Sequence, residues 1–191
     1  MASLRLINRL ARAWRLPRRE VVRRLQREIA NATNAYLNRR RRGVLHIGAN
    51  EAAEASLYGD VPVIWFEADR DRMPGLLRNI APFPHQRAFC VLLGDREGEA
   101  DFHIANWRDM KGATSSVFPF GPAAVGADSL WPDADLHVER TVRLRMRKLD
   151  SVLEEHAIDP AQFDTWVMDV QGAESLVLEA RIAPWLRAAL S

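Results

Sequence analysis

The sequence predicts an α/β protein with a doubly wound, mostly parallel sheet. Short apolar runs at 44–47 and 61–67 are typical of strands that are covered on both faces. Stretches long enough for a helix separate these runs, and this alternation favours parallel strands joined by crossover helices. Apolar residues make up 48% of the 191 residues, which is enough for one domain with an extension at one end.

Residues 1–42 are predicted to form a basic helical extension before a domain at 43–191. The extension contains 13 arginines against the acidic residues Glu20 and Glu28, whereas the rest of the chain has an excess of acids. Apolar residues recur at helical spacing on both sides of Pro17, which can open a second helix. Three interpretations stay open for this segment: helices packed on the domain, contact with an anionic membrane surface, and nucleic-acid binding.

Strands and helices alternate through the first half of the domain. Strands are predicted at 44–47, 61–67 and 87–93, helices at 51–58 and 70–80, and an alternating strand at 99–105. Pro82 and Pro84 break the chain after the second helix, and a glycine-containing turn precedes the alternating strand.

The second half begins with a long stretch, 106–137, that shows no clear periodicity. A loop of this length in a compact domain is typical of a functional cover or of a disordered segment. Apolar and basic residues then alternate at 138–146, which predicts a half-exposed strand. The pattern ends with a helix through His156, a buried strand at 163–169 and a helix at 173–189.

Gly48 and Glu67 predict a site for a nucleoside at the carboxyl ends of the first two strands. A glycine in the first turn lets the backbone approach a ligand closely. Glu67 ends the second strand, 19 residues after Gly48, where a carboxylate can bind ribose hydroxyls. The alternative is an ordinary strand–helix–strand unit without a cofactor.

The single glycine of this turn restricts the class of cofactor. A dinucleotide site would need Gly-x-Gly-x-x-Gly, and here Asn50 and Ala53 occupy the later glycine positions. The chain also lacks the Gly-x-x-x-x-Gly-Lys-Ser/Thr loop of nucleotide triphosphate sites. S-adenosylmethionine has a ribose but no phosphate, so it suits this turn better.

Several ordered blocks of the sequence together resemble one known family. The blocks are Asp164-Thr165-Trp166-Val167-Met168-Asp169-Val170-Gln171-Gly172-Ala173-Glu174, His46-Ile47-Gly48-Ala49-Asn50, Trp65-Phe66-Glu67-Ala68, Leu93-Gly94-Asp95 and Leu149-Asp150. In order and spacing, across about residues 43–180, they resemble the FkbM family of S-adenosylmethionine-dependent methyltransferases. The resemblance implies a Rossmann-like fold and methyl transfer to a hydroxyl of a saccharide or a related natural product.

The resemblance also assigns roles to individual residues. Gly48, Ala49 and Asn50 would line the cofactor turn, Glu67 with Ala68 would take the ribose, and Asp95 would lie near the adenine. Asp169 and His46 are the candidate general bases at the strand ends, although a capping role for Asp169 and a core position for His46 are open alternatives.

The acceptor side is assigned to Asn106, Ser115, Ser116, Gln171 and Glu174. Asn106 and the serines resemble the asparagine and serine cluster of the family's long loop. No metal site is expected, because the carboxylates of Asp169 and Glu174 have no third ligand in the sequence pattern.

Three departures from the family pattern affect the functional prediction. His46 stands where many members carry an acid, and Ala52 stands where many carry a glycine. The chain also stops at Ser191, where the family continues into further strands, which predicts an exposed sheet edge that a homodimer could cover. The alternative function is therefore an inactive, shortened module that binds a protein partner or an anionic membrane surface through residues 1–42.

Cysteine usage and the absence of certain motifs lead to the remaining predictions. The single cysteine, Cys90, excludes a disulfide framework and favours a cytoplasmic setting, with contact at the inner membrane face as the alternative. A nucleic-acid substrate is not expected: the chain has no Asn/Asp-Pro-Pro-aromatic motif, and Cys90 follows Phe89 rather than a proline.

Overall fold

A computed structural model describes residues 17–107, 112, 114–119 and 136–179 of the chain. The chain divides into two bodies between Arg40 and Arg41, and each body is described separately. The described part of the first body contains helix α1 (Arg18–Asn38), which begins directly after Pro17 as the proline position predicts. The helix predicted before Pro17 lies outside the described residues.

The second body contains strands and helices that alternate along the chain. In order they are β1 (Val44–Ile47), α2 (Ala55–Tyr58), β2 (Val63–Glu67), α3 (Met73–Ile80), β3 (Gln86–Cys90), β4 (Leu92–Leu93), β5 (Gly98–Trp107), β6 (Leu136–Arg147), α4 (Leu149–Glu155), β7 (Thr165–Met168) and α5 (Glu174–Glu179). Short 3-10 helices at Arg70–Arg72 and Pro160–Gln162 precede α3 and β7.

Four parallel strands form the central sheet, in the order β3-β2-β1-β7. Every residue of β1 and β2 is buried, as expected for strands with apolar layers on both faces. This arrangement confirms the predicted α/β class with a mostly parallel, Rossmann-like sheet. Within the described part of the chain, β7 pairs only with β1.

Alternate side chains of the central strands enter two separate apolar layers. One layer packs Leu45, Ile47, Ile64 and Phe66 against residues of α4 and α5, among them Leu149, Val152 and Val177. The other layer packs Val44, Val63 and Trp65 against Ala55 and Tyr58 of α2 and Leu76 and Ile80 of α3. Full burial of a large apolar side chain contributes about 1.5–3 kcal/mol, so both layers hold the strand ends in fixed positions.

A second, three-stranded sheet has the order β4-β6-β5. Strands β5 and β6 form a long antiparallel pair, and β6 runs parallel to the short β4. The prediction of one strand at 87–93 was wrong in this detail. The chain pairs with β2 through β3, donates from Val91 N to Glu67 O at 2.8 Å, and then joins the second sheet at Leu92.

The other predicted bounds also differ at particular points. Helix α2 starts at Ala55 rather than near residue 51, because the preceding segment forms a tight turn with φ of +46° at Asn50 and +51° at Ala52. Most of the predicted loop 106–137 and the end of the predicted helix 173–189 lie outside the described residues. Of the helices the structure describes, none is long and apolar enough to cross a membrane.

Candidate active site

A cavity of about 630 Å³ lies at the carboxyl ends of β1, β2 and β7, within the size range of small-molecule sites. Its backbone walls come from the turns after these strands, from β4 and from the segment after β5. Described charged side chains that line it are Glu51, Glu54, Glu67, Arg72 and Asp169. Apolar lining is provided by Ile47, Phe66, Val91, Leu92, Leu93, Phe102 and Val117, among others.

Gly48 forms the floor of the cavity where β1 ends. Its φ is +82°, and a β-carbon at this position would overlap the carbonyl oxygen of Asp169. The amides of Gly48 and Ala49 both donate to Phe66 O at 3.0 Å, which fixes the turn against β2. Only glycine therefore allows the strand ends of β1 and β7 to approach this closely.

Glu67 is the buried carboxylate of the cavity and is 7% exposed. Its Oε2 accepts a hydrogen bond from Asn50 N at 2.6 Å, and its Oε1 accepts one from Asp69 N at 2.7 Å. The side chain thus joins the turn after β1 to the turn after β2. Burial raises the pKa of Glu67 to about 7, although the backbone amides of Asp69, Asn50 and Ala68 act in the opposite direction by stabilising the carboxylate.

Asn50 offers a further polar atom at the same wall. Its Oδ1 is buried and has no hydrogen-bond partner among the described residues. A buried acceptor without a partner costs about 1–3 kcal/mol, so a donor on a bound ligand would stabilise this side chain.

Arg72 brings a cation to the cavity wall. Its Nη1 lies 3.2 Å from Glu51 Oε1, and its Nε lies 3.4 Å from Asp69 Oδ2. The second contact is an ion pair that lacks hydrogen-bond geometry. Both of its atoms are buried, and neither has a hydrogen-bond partner in the described part of the chain. The sequence did not identify Arg72, because no motif contains it. Its place at the site depends on the fold, which brings the 3-10 helix at Arg70–Arg72 close to Glu51 in the turn after β1.

Asp169 lines the cavity directly after β7, opposite the Glu67 side. The amide Nε2 of Gln171 donates to Asp169 Oδ1 at 2.6 Å. Burial and the nearby carboxylate of Glu174 raise the pKa of Asp169, while the bond from Gln171 opposes this rise. A carboxylate with a raised pKa is a better proton acceptor than an ordinary aspartate.

Glu174 supports the turn after β7 rather than the cavity wall. Its Oε1 accepts hydrogen bonds from Val170 N at 3.2 Å and Gly172 N at 3.3 Å, in the first turn of α5. The side chain is not among the described residues that line the cavity. Gln171, which the sequence also assigned to the acceptor side, does line it.

The predicted asparagine and serine cluster shapes the segment that follows β5. Ser115 lines the cavity, and its Oγ accepts from Ala105 N at 3.1 Å and donates to Gly112 O at 2.9 Å. Asn106 Oδ1 accepts from Gly112 N at 2.9 Å. Ser116 Oγ donates to Gln171 O at 3.0 Å. Asn106 and Ser116 hold the loop, and neither belongs to the described cavity lining.

His46 lies in the core and is 3% exposed, away from the described cavity wall. Its ring stacks on Trp65 at 4.5 Å, its Nδ1 lies 3.3 Å from the Tyr58 hydroxyl, and its Nε2 lies 3.4 Å from Glu54 Oε1. Burial lowers the pKa of His46 to about 4, so the imidazole is neutral at pH 7. The ring does not reach the cavity, whereas its neighbour Glu54 does.

Asp95 also lies apart from the cavity. Its Oδ1 forms an ion pair with Arg96 Nη1 at 3.0 Å, and its side chain is absent from the described lining. The predicted residues that the structure brings together are Gly48, Ala49, Asn50, Glu67, Ala68, Ser115, Asp169 and Gln171.

Comparisons with known proteins give a consistent family assignment. Residues 45–188 match the model of a protein family that is described as "Methyltransferase FkbM domain". A curated relative, the 2-O-methyltransferase NoeI of Sinorhizobium fredii (strain NBRC 101917 / NGR234), is 27% identical over 146 residues. The alignment covers 71% of this chain and 55% of the relative, so the chain spans about half the length of that protein. No solved structure matches the chain.

Proposed function

Because this chain belongs to the FkbM methyltransferase family, we propose that it transfers a methyl group from S-adenosylmethionine to a hydroxyl of a saccharide or related natural product. The relative NoeI is a 2-O-methyltransferase by name, which supports methyl transfer to an oxygen as the reaction class. The cavity at the ends of β1, β2 and β7 is the proposed site of both substrates.

Glu67 is the observation that carries the proposal. Its carboxylate is buried at the end of β2 and lines the cavity, which suits a partner for two adjacent ribose hydroxyls. Its two oxygens accept amide hydrogen bonds at 2.6 and 2.7 Å, and because a carboxylate has about four lone-pair sites, it retains acceptor capacity for a ligand hydroxyl. A solvated strand end would leave this side chain exposed.

The other described residues fit the same cofactor. The close approach at Gly48 leaves the first turn free of side-chain atoms, and the buried Asn50 Oδ1 can accept a hydrogen bond from a ligand donor. Leu92 and Leu93 supply apolar surface for the adenine, and Arg72 can pair with the amino-acid carboxylate. S-adenosylmethionine, when bound, supplies a methyl group on a positively charged sulfur.

Asp169 is the proposed general base. The acceptor hydroxyl would lose its proton to an Asp169 carboxylate oxygen while its oxygen takes the methyl carbon, the sulfur–methyl bond breaks and S-adenosylhomocysteine leaves. A positioned base of this kind contributes about 10²–10⁴-fold to the rate. Gln171 fixes the orientation of the carboxylate through its hydrogen bond to Oδ1.

Calorimetric titration with S-adenosylhomocysteine tests the cofactor site. We expect the wild-type chain to bind and Glu67→Ala to weaken binding by about tenfold or more, because the variant loses the carboxylate that holds the ribose. Glu99→Ala is the matched control, because Glu99 is an exposed carboxylate on β5 outside the described cavity lining.

Circular dichroism of both variants separates loss of the site from loss of the fold. A folded Glu67→Ala variant with wild-type affinity would contradict the assignment of the ribose site. A wild-type chain that does not bind S-adenosylhomocysteine would contradict the proposed function itself.

A further inference from the structure

Phe118 is an exposed aromatic ring beside the turn that follows β7. It is 45% exposed, and a β-carbon built on Gly172 would lie 4.0 Å from its Cδ2. One edge of the ring therefore lies near Gly172, while the side chain as a whole is exposed. Single exposed apolar residues are common in proteins, so the position of this ring matters more than its exposure.

Hydrogen bonds join the segment that carries Phe118 to strand β5 and to the turn after β7. Ser116 exchanges two backbone hydrogen bonds with His103 of β5, at 2.8 and 3.1 Å. Its Oγ donates to Gln171 O at 3.0 Å and accepts from Phe118 N at 3.1 Å. The same hydroxyl thus fixes the backbone of Phe118 relative to the turn that presents Asp169 and Gln171.

Polar groups suited to hydroxyls come from the turn that Phe118 lies against and from the segment that carries it. Asp169, Gln171 and Ser115 line the cavity, and Val117 continues the lining directly before Phe118. An apolar ring face beside a few convergent polar groups matches a pyranose, which has carbon-bound hydrogens on its faces and hydroxyls at its edge.

We propose that Phe118 is an acceptor-binding residue that stacks against the pyranose ring of a saccharide and presents one of its hydroxyls to Asp169. The inference rests on the proposed function and adds the residue that selects a cyclic acceptor. An acyclic polyol has the same hydroxyl groups but no flat carbon-bound face, so Phe118 favours the ring form. Because Ser116 fixes the Phe118 backbone in advance, little ordering accompanies binding.

Saturation-transfer NMR on the full chain with excess S-adenosylhomocysteine tests this role. The probes are the methyl pyranosides of glucose, galactose, fucose and N-acetylglucosamine, with mannitol and sorbitol as acyclic comparisons. We expect at least one pyranoside to receive saturation on its ring hydrogens, and the alditols to receive none. Phe118→Ala should weaken the binding of that pyranoside by about three- to tenfold, which is the range expected for one aromatic contact.

Three further variants show whether the aromatic face is responsible. Phe118→Tyr should bind as the wild type does, whereas Phe118→Leu, which keeps an apolar side chain without an aromatic face, should resemble Phe118→Ala. Leu77→Ala removes an apolar side chain that is 51% exposed on α3 and should change nothing. All variants should keep wild-type affinity for S-adenosylhomocysteine, because Phe118 is not part of the described cavity lining.

The possible failures are distinguishable. Pyranoside binding that is equal in the wild type and Phe118→Ala, or equal for pyranosides and alditols, would overturn the role of Phe118. Absence of pyranoside binding by a chain that does bind S-adenosylhomocysteine would overturn it as well and leave the cofactor site standing. Failure to bind S-adenosylhomocysteine would overturn the proposed function and this inference with it.

Discussion

Gly48 and Ala52 show how differently two positions in one turn constrain the side chain. Gly48 combines a φ of +82° with backbone atoms of Asp169 where a β-carbon would lie. Ala52 has a φ of +51°, a region that costs a non-glycine residue about 1–2 kcal/mol, yet its methyl group is buried in the apolar layer. The family's glycine can therefore be replaced at Ala52 but not at Gly48.

Replacing Gly48 should disrupt the cavity rather than only strain the chain. In Gly48→Ala, the new methyl group would overlap Asp169 O, so the ends of β1 and β7 must separate. We expect affinity for S-adenosylhomocysteine to fall by about tenfold or more, together with a lower melting temperature. Gly59→Ala is the control, because Gly59 also has positive φ but has no atom within 4 Å of a β-carbon.

Gly59→Ala should cost about 1–3 kcal/mol of unfolding free energy through backbone strain, because its φ of +58° and ψ of −121° lie in a region that side chains rarely adopt, and should leave binding intact. Calorimetric titration and thermal unfolding of both variants make the comparison. Wild-type binding by Gly48→Ala would show that the turn can relax without losing the site.

The sequence predicted that a residue lies in the cavity where the apolar pattern of the preceding strand determines its position. Gly48 and Glu67 end two fully buried strands, so their position in the cavity follows from the topology. The resemblance assigned His46 and Asp95 to the site by position alone, and their side chains point elsewhere. His46 lies one position before the cavity lining in β1, where alternation turns it into the opposite apolar layer, and Asp95 pairs locally with Arg96.

At the scale of elements, Gln86 joins β3 to its neighbours through a buried amide group. It is 6% exposed, its Oε1 accepts from Trp65 Nε1 at 3.0 Å, and its Nε2 donates to Ala55 O and Gly59 O at 3.1 and 3.2 Å. Strand β2, strand β3 and helix α2 therefore share one polar connection inside an apolar layer.

Replacing Gln86 by leucine should destabilise the fold strongly. The variant leaves the buried indole N–H of Trp65 without its acceptor, at about 1–3 kcal/mol, and removes two hydrogen bonds to backbone carbonyls at about 0.5–1.5 kcal/mol each, so we expect a loss of about 2–6 kcal/mol in urea unfolding. The double variant Gln86→Leu/Trp65→Phe removes the orphaned donor as well. Gln86→Leu should therefore cost about 1–2 kcal/mol less in a Trp65→Phe background. Additive effects would show that the Trp65 contact contributes nothing.

The second sheet shows which elements the sequence could not determine. Its strands at 99–105 and 138–146 were predicted from alternation, because each exposes one face. The pairing of β6 with β5 on one side and with β4 on the other depends on contacts between distant segments that no local pattern records. The cavity-lining residues Phe102 and Val117 were missed for the same reason.

For the whole molecule, His46 and Glu67 have opposite effects on the pH dependence of stability. The folded pKa of His46 is lowered from 6.5 to about 4, so its contribution is present above pH 6.5 and is lost as the pH falls toward 4. The folded pKa of Glu67 is raised from 4.5 to about 7, so its contribution is present below pH 4.5 and is lost as the pH rises through 7. Between pH 4.5 and 6.5 the two slopes oppose each other.

Single substitutions should separate these slopes. Each group contributes about 1.4 kcal/mol per pH unit in this window, so urea unfolding between pH 6.5 and 5 should show a change of about 2 kcal/mol. Relative to the wild type, His46→Gln should gain that stability as the pH falls, and Glu67→Gln should lose it. The double variant should again follow the wild-type profile, and a His46→Gln profile parallel to the wild type would contradict a neutral, buried His46.

Residues of both sheets line the cavity, and this arrangement affects how the specificity for the acceptor can change. The first turn, Glu67 and β4 provide the proposed cofactor side, whereas the turn after β7 and the segment through Phe118 provide the proposed acceptor side. Side chains of the segment through Phe118 can therefore be varied by directed evolution while the parallel strands and β4 keep the proposed cofactor side intact. An engineer who seeks a new acceptor should diversify residues 112–119 and leave the parallel strands alone.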